Sequence, residues 1–148
     1  MTGIILWFGQ IPAAGRNDNR HNDDGCMTHI FVEIWSERLT WRAIDADARA
    51  IILERVAAAV EPILRQDIVC LVAGNVEGGD WQHVAVWRAT DAAVVGKLRA
   101  ALRDAGWYDW FDQLDLSGPE TALGDILSRH AQGNTEAPMV RFWDCSSV

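Results

Sequence analysis

The stretch from His29 to Trp35 constrains this chain more than any other. It is rich in β-branched and aromatic residues, so it reads as a strand. A strand's period of two puts Ile30, Val32 and Ile34 on one face and His29, Phe31, Glu33 and Trp35 on the other. Both faces are largely apolar. A strand with one side left to water is therefore excluded, and each face needs a cover.

The residues that follow supply one cover. Asp45 is placed to cap a helix running to about Gln66, with Ala48, Ile51, Ile52, Val56, Ala59, Val60 and Ile63 as its buried stripe. Pro62 should loosen its last turn. Ile68 to Ala73 reads as a second strand and Trp81 to Arg88 as a third, joined through a turn at Gly78-Gly79. Thr90 or Asp91 opens a second helix, which buries Val94, Val95, Leu98, Ala101, Leu102 and Ala105 and ends at Gly106. Trp107 to Phe111 forms an aromatic turn, Gln113 to Leu116 a short fourth strand, and Gly118-Pro119 the start of a last helix through about His130. The order βαββαβ plus a terminal helix predicts a ferredoxin-like α+β domain. Its helices cover one face of the sheet. Ile30, Val32, Ile34, Val84 and Val86 make the other face apolar as well, and a two-fold homodimer is the simplest way to bury it.

With 148 residues, one domain is expected. Residues 27–132 carry the periodic pattern. Residues 1–26 are expected to be a flexible extension, because Ala14 to Gly25 is polar and turn-rich; Met27 then stands as a possible original start. Residues 133–148 are expected to be a weakly ordered tail in which Phe142 and Trp143 can dock locally. A net charge of -8 argues against nucleic acid as a partner. No apolar run approaches the ~20 residues of a membrane span, and no basic residue precedes the apolar Gly3 to Phe8 stretch of a would-be secretory signal. Three cysteines, Cys26, Cys70 and Cys145, lie far apart without metal-ligand spacing, so a reduced cytoplasmic protein with neither zinc nor disulfides is expected.

Eight tryptophans are unusual in a chain this short. In a split-βαβ sheet the first and third strands are antiparallel neighbours, so His29, Phe31, Glu33 and Trp35 share a surface with Trp81, His83, Ala85 and Trp87. Glu33 and His83 then project among indole rings, where a carboxyl shifts towards its neutral form and can exchange a proton with histidine. This pair is the candidate catalytic set. Trp35, Trp87, Trp107 and Tyr108 are the candidate substrate-binding residues. The structural alternative pairs Glu33 with Arg88 or Arg42, leaves His83 as a satisfied strand residue, and uses Trp107, Trp110 and Phe111 to cap the core. Trp41 is either a lid residue or a packing contact. No serine-hydrolase elbow, phosphate-binding loop, zinc-protease or dinucleotide fingerprint is present.

Residues 28 to 131 resemble the dimeric α/β-barrel superfamily, near its antibiotic-biosynthesis monooxygenase, EthD and NIPSNAP groups. The resemblance rests on Ile30-Phe31-Val32-Glu33-Ile34-Trp35, on Val84-Ala85-Val86-Trp87-Arg88 and on Gly106-Trp107-Tyr108-Asp109-Trp110-Phe111. It implies a homodimer and a small-molecule ligand, with oxidation or isomerisation of an aromatic or polyketide-like substrate and no cofactor. It also implies an alternative, a non-catalytic binding protein for a small molecule or for haem, with His83 or Tyr108 as the axial ligand. The second helix lacks the histidine that the haem-degrading branch would carry.

Overall fold

A computed structural model describes residues 27–133. The expected extension 1–26 and the tail beyond residue 133 lie outside the described residues. Along the chain run β1 (His29–Glu37), α1 (Leu39–Ala43), α2 (Ala46–Leu64), β2 (Ile68–Asn75), β3 (His83–Ala89), α3 (Ala92–Asp104), a 3₁₀ turn (Trp107–Asp109), β4 (Phe111–Pro119) and α4 (Leu123–Ala131). The sheet order is β2-β3-β1-β4, and each neighbouring pair is antiparallel. This is the ferredoxin-like α+β fold.

Local chemistry sets the element ends. The Asp45 carboxylate accepts from the Ala48 N–H at 2.8 Å and opens α2; Asp91 does the same for α3 through Val94 at 3.0 Å. Each cap satisfies an amide the helix itself leaves unpaired, and its loss typically costs about 1 kcal/mol. α2 ends at Leu64, two residues after Pro62. Gly106 follows α3 with φ +81°, a conformation that glycine adopts without Cβ strain. Gly78 and Gly79, at +86° and +83°, turn the chain between β2 and β3.

Two expectations are corrected. Ile51 is 66% exposed, because α2 buries only Ile52, Val56 and Val60, the line four residues apart. Gly118 and Pro119 do not begin the last helix. They close β4, which pairs with β1 as far as His29↔Pro119 and is more than twice the expected length. Proline is tolerated there because β4 is an edge strand and Pro119 its last residue.

α2 and α3 both pack on the odd-numbered face of β1. Phe31, fully buried, is surrounded by Val56 and Val60 of α2, Val94, Val95, Leu98 and Leu102 of α3, and Ile68 and Ala89 of the neighbouring strands. The opposite face carries an aliphatic row, Val72–Val86–Val32–Leu116, running across all four strands. Val84, Ile34 and Leu114 form a second row beside it. Val72 is 60% exposed and Val69 42%. α4 is amphipathic but buries no residue.

Candidate functional site

Antiparallel register brings the candidate residues together. The inner face presents the cross-strand rows Ala73–Ala85–Glu33–Asp115 and Asn75–His83–Trp35–Gln113, with Cys70–Trp87–Phe31–Ser117 alongside. Directly opposed side chains on one face lie about 5 Å apart, so each row is a line of contacts. Small residues interrupt the packing above them. Ala73 and Ala85 on the sheet face Ala57 and Ala58 on α2, and a cavity of about 700 Å³ remains between helix and strands. That size suits a drug-sized ligand.

Glu33, His83, Trp35, Trp87 and Trp107 all line this cavity, and Tyr108 does not. Tyr108 instead packs against the main core cluster. Glu33 is 7% exposed, the one buried charged residue among the described residues. Its Oε2 accepts from Trp87 Nε1 at 2.8 Å, and its Oε1 accepts from Gln113 Nε2 at 3.1 Å. Burial and the nearby Asp115 carboxylate push the Glu33 pKa up to about 7, against the two donated hydrogen bonds and the Arg99 charge, which pull it down. The carboxyl therefore titrates near neutrality, as a general acid or base requires. Cys70, beside it in the lining, has its thiol pushed up by burial.

Glu33 and His83 share the cavity but engage different partners. His83 Nδ1 lies 3.0 Å from Asn75 Oδ1 on the next strand, and its ring sits 5.4 Å from that of Trp35. Neither arginine of the structural alternative reaches Glu33. Arg88 pairs with Glu120 at 2.7 Å, and Arg42 with Glu37 at 3.5 Å.

Behind Glu33 stands a polar chain that the sequence reasoning missed. Gln113 accepts from Trp107 Nε1 at 2.6 Å and donates to Asp115 at 2.6 Å. Asp115 in turn pairs with Arg99 at 3.1 Å, and that guanidinium lies 5.1 Å from the Phe31 ring centroid. The signal was the alternation Gln113-Leu114-Asp115-Leu116, whose polar residues turn towards the helices rather than towards water. The other aromatics close one end of the core. Trp107 stacks on Phe111 at 4.0 Å, and Trp41, buried, lies 4.8 Å from Phe111 and 6.1 Å from Trp110. Trp41 is thus a packing residue.

A family model, "Family of unknown function (DUF6616)", matches residues 28–133. The chain belongs to this family. No curated protein matches the chain. Among solved structures, chlorite dismutase from Candidatus Nitrospira defluvii is similar at 20% identity and TM-score 0.61, over 74% of this chain and 47% of that one. Another structure of the same protein gives 18% identity and TM-score 0.61 over 87% and 51%. The chain spans about half the length of these relatives. The likeness is one of fold.

Of the two axial ligands considered for haem, Tyr108 is outside the cavity, whereas His83 lines it with its Nδ1 3.0 Å from Asn75 Oδ1. Among the described residues the lining holds three carboxylates (Glu33, Glu54 and Glu61) and no lysine or arginine to meet propionates. Among the described residues no cluster of three His, Cys, Asp or Glu side chains could hold a metal ion. No described helix is long and apolar enough to cross a membrane.

Proposed function

We propose that this chain is a small-molecule enzyme that transforms an aromatic or polyketide-like substrate by proton transfer, without a bound cofactor. The observation that carries the proposal is Glu33, a buried carboxyl titrating near pH 7 in the floor of a tryptophan-lined cavity. The reaction class comes from the resemblance to the monooxygenase-like groups of the dimeric α/β-barrel superfamily. Glu33 is the deep acid or base, and His83 is the second proton carrier. Trp35, Trp87 and Trp107 form the walls, while Tyr108 packs against the core outside the cavity. Isomerisation needs only a proton removed at one substrate atom and returned at another. In oxidation, removing that proton leaves an electron-rich anion, and dioxygen is the oxidant: a CH₂ becomes C=O, and the second oxygen atom leaves as water with both hydrogens.

The working unit we propose is a homodimer in the cytoplasm, formed through the aliphatic outer face of the sheet. An uncovered apolar face of this kind is rare in monomers, and interfaces that bury one often exceed ~2,000 Å² in total.

The test starts by screening the purified chain against aromatic ketones and phenols in air, following oxygen uptake and absorbance. Glu33→Gln and His83→Ala should each lower turnover by about 100-fold or more. Full activity in both, with the fold intact, would sink the catalytic assignment. A second reading is binding without turnover, favoured by one observation: both Glu33 oxygens already have protein partners. A ligand that co-purifies and is returned unchanged after incubation in air would decide for it.

A further inference from the structure

The cavity is one-sided in charge. Among the described residues its lining includes Glu33, Glu54 and Glu61 but no lysine or arginine. Glu61 is paired with Arg65, which leaves Glu33 at the floor and Glu54 along the helix. Nearby arginines face elsewhere. Arg99 is held by Asp115 on β4, and Arg55 donates to the Ala105 carbonyl at 3.1 Å.

Three donors of the lining are committed. Trp87 Nε1 donates to Glu33 at 2.8 Å, Trp107 Nε1 to Gln113 at 2.6 Å, and the Cys70 thiol to the Val72 carbonyl at 3.6 Å. His83 Nδ1 faces Asn75 at 3.0 Å. An anion entering here would give up its hydration beside carboxylates, with several of the nearby donors already engaged, a transfer that is unfavourable when uncompensated. A cation meets the opposite situation. A carboxylate offers about four lone-pair sites, and protein donors use only two at Glu33, so acceptor capacity remains. The surrounding indoles of Trp35, Trp87 and Trp107 add electron-rich ring surface that attracts positive charge.

We infer that the cavity selects an aromatic ligand bearing a positively charged nitrogen and rejects the matching carboxylate, with Glu33 as the residue that reads the charge. The inference rests on the cavity being the ligand site, and its test separates the two. Calorimetric titration of the full chain would use three probes with one ring system: naphthylmethylamine, naphthylmethanol and naphthoate. At about pH 8, where the Glu33 carboxyl is mostly ionised, the amine should bind about tenfold tighter than the alcohol, and naphthoate at least about tenfold weaker than the alcohol. Glu33→Gln should narrow the amine-to-alcohol ratio to within about threefold while alcohol affinity stays within about threefold of the parent. Should that variant not fold, as judged by circular dichroism, Glu54→Gln should still narrow the ratio by about twofold. Naphthoate binding as tightly as the alcohol, or an amine preference that survives Glu33→Gln in full, would overturn the charge selection while leaving the site in place. Heat from none of the three probes would overturn the site and the selection together.

Discussion

The two faces of one sheet differ in kind. The outer face is a grid of aliphatic side chains, Val72–Val86–Val32–Leu116 with Val84, Ile34 and Leu114 beside it. The inner face, which lies under two helices, carries the carboxyls of Glu33 and Asp115, the amides of Gln113 and Asn75, and His83. Ordinary sheets arrange this the other way, polar side out and apolar side in. The inversion teaches that the inner face has a second task besides packing. Phe31, Ile68 and Ala89 form the core at one end, while the Glu33 and Trp35 rows hold polar groups around a cavity.

Charging the outer face should break the comparison hardest. Val84→Asp places a carboxylate in the middle of the proposed dimer contact and should weaken association by more than about 100-fold. Ala100→Asp, on exposed α3 surface, should leave the mass unchanged. Light scattering at micromolar concentration reads the mass directly. A monomer in the parent protein would remove the dimer, and an unaltered dimer in Val84→Asp would move the interface elsewhere.

On the inner face, the packed end should be the most sensitive. Phe31→Ala empties a fully buried site and should cost about 3–5 kcal/mol, measured by denaturant unfolding. A loss below about 1 kcal/mol would mean that Phe31 is not the centre of the core.

The polar end should reveal itself through pH. The Glu33 pKa rises from 4.5 to about 7 on folding. The folded state therefore binds the proton more tightly. The associated stability is fully present below pH 4.5 and is lost as pH rises through about 7. The loss amounts to about 3 kcal/mol at most. Unfolding measured across that range should show the decline in the parent and a flatter profile in Glu33→Gln. Equal slopes in the two proteins would assign the titration to another group.

A smaller effect should separate Gln113 from its neighbours. Gln113→Leu leaves the Trp107 N–H without its acceptor and removes a donor from Glu33. The cost should be about 1–3 kcal/mol, with the Glu33 titration displaced further upward because a donor that favours the ionised form is gone. An unmoved titration would show that Gln113 does not position the carboxyl.

How much of this was legible in the chain follows from range. Elements were readable where the information is local: Asp45 as a cap, Asp91 as one of two candidate caps beside Thr90, Gly78-Gly79 as a turn, and the period-two run of β1. The shared surface of Glu33, Trp35, His83 and Trp87 was also accessible, because topology makes β1 and β3 neighbours and alternation then assigns the faces. Gly118-Pro119 misled because a proline suits the first turn of a helix as well as the end of an edge strand, and only the pairing with His29 distinguishes them. Ile51 misled because a helical stripe of apolar residues is wider than the line a sheet can cover.

The sequence by itself determined which residues share a face, since that depends only on the pleat. The tertiary structure alone decided what each shared face touches. Gln113 and Asp115 look like the solvated side of a strand until the pairing of β4 with β1 sets them beside Glu33, under the helices. The partners of Glu33 and His83 come from residues tens of positions away or across a hairpin, and the cavity exists because alanines on α2 meet alanines on β2 and β3. Register and packing are non-local, and no periodicity within one segment encodes them.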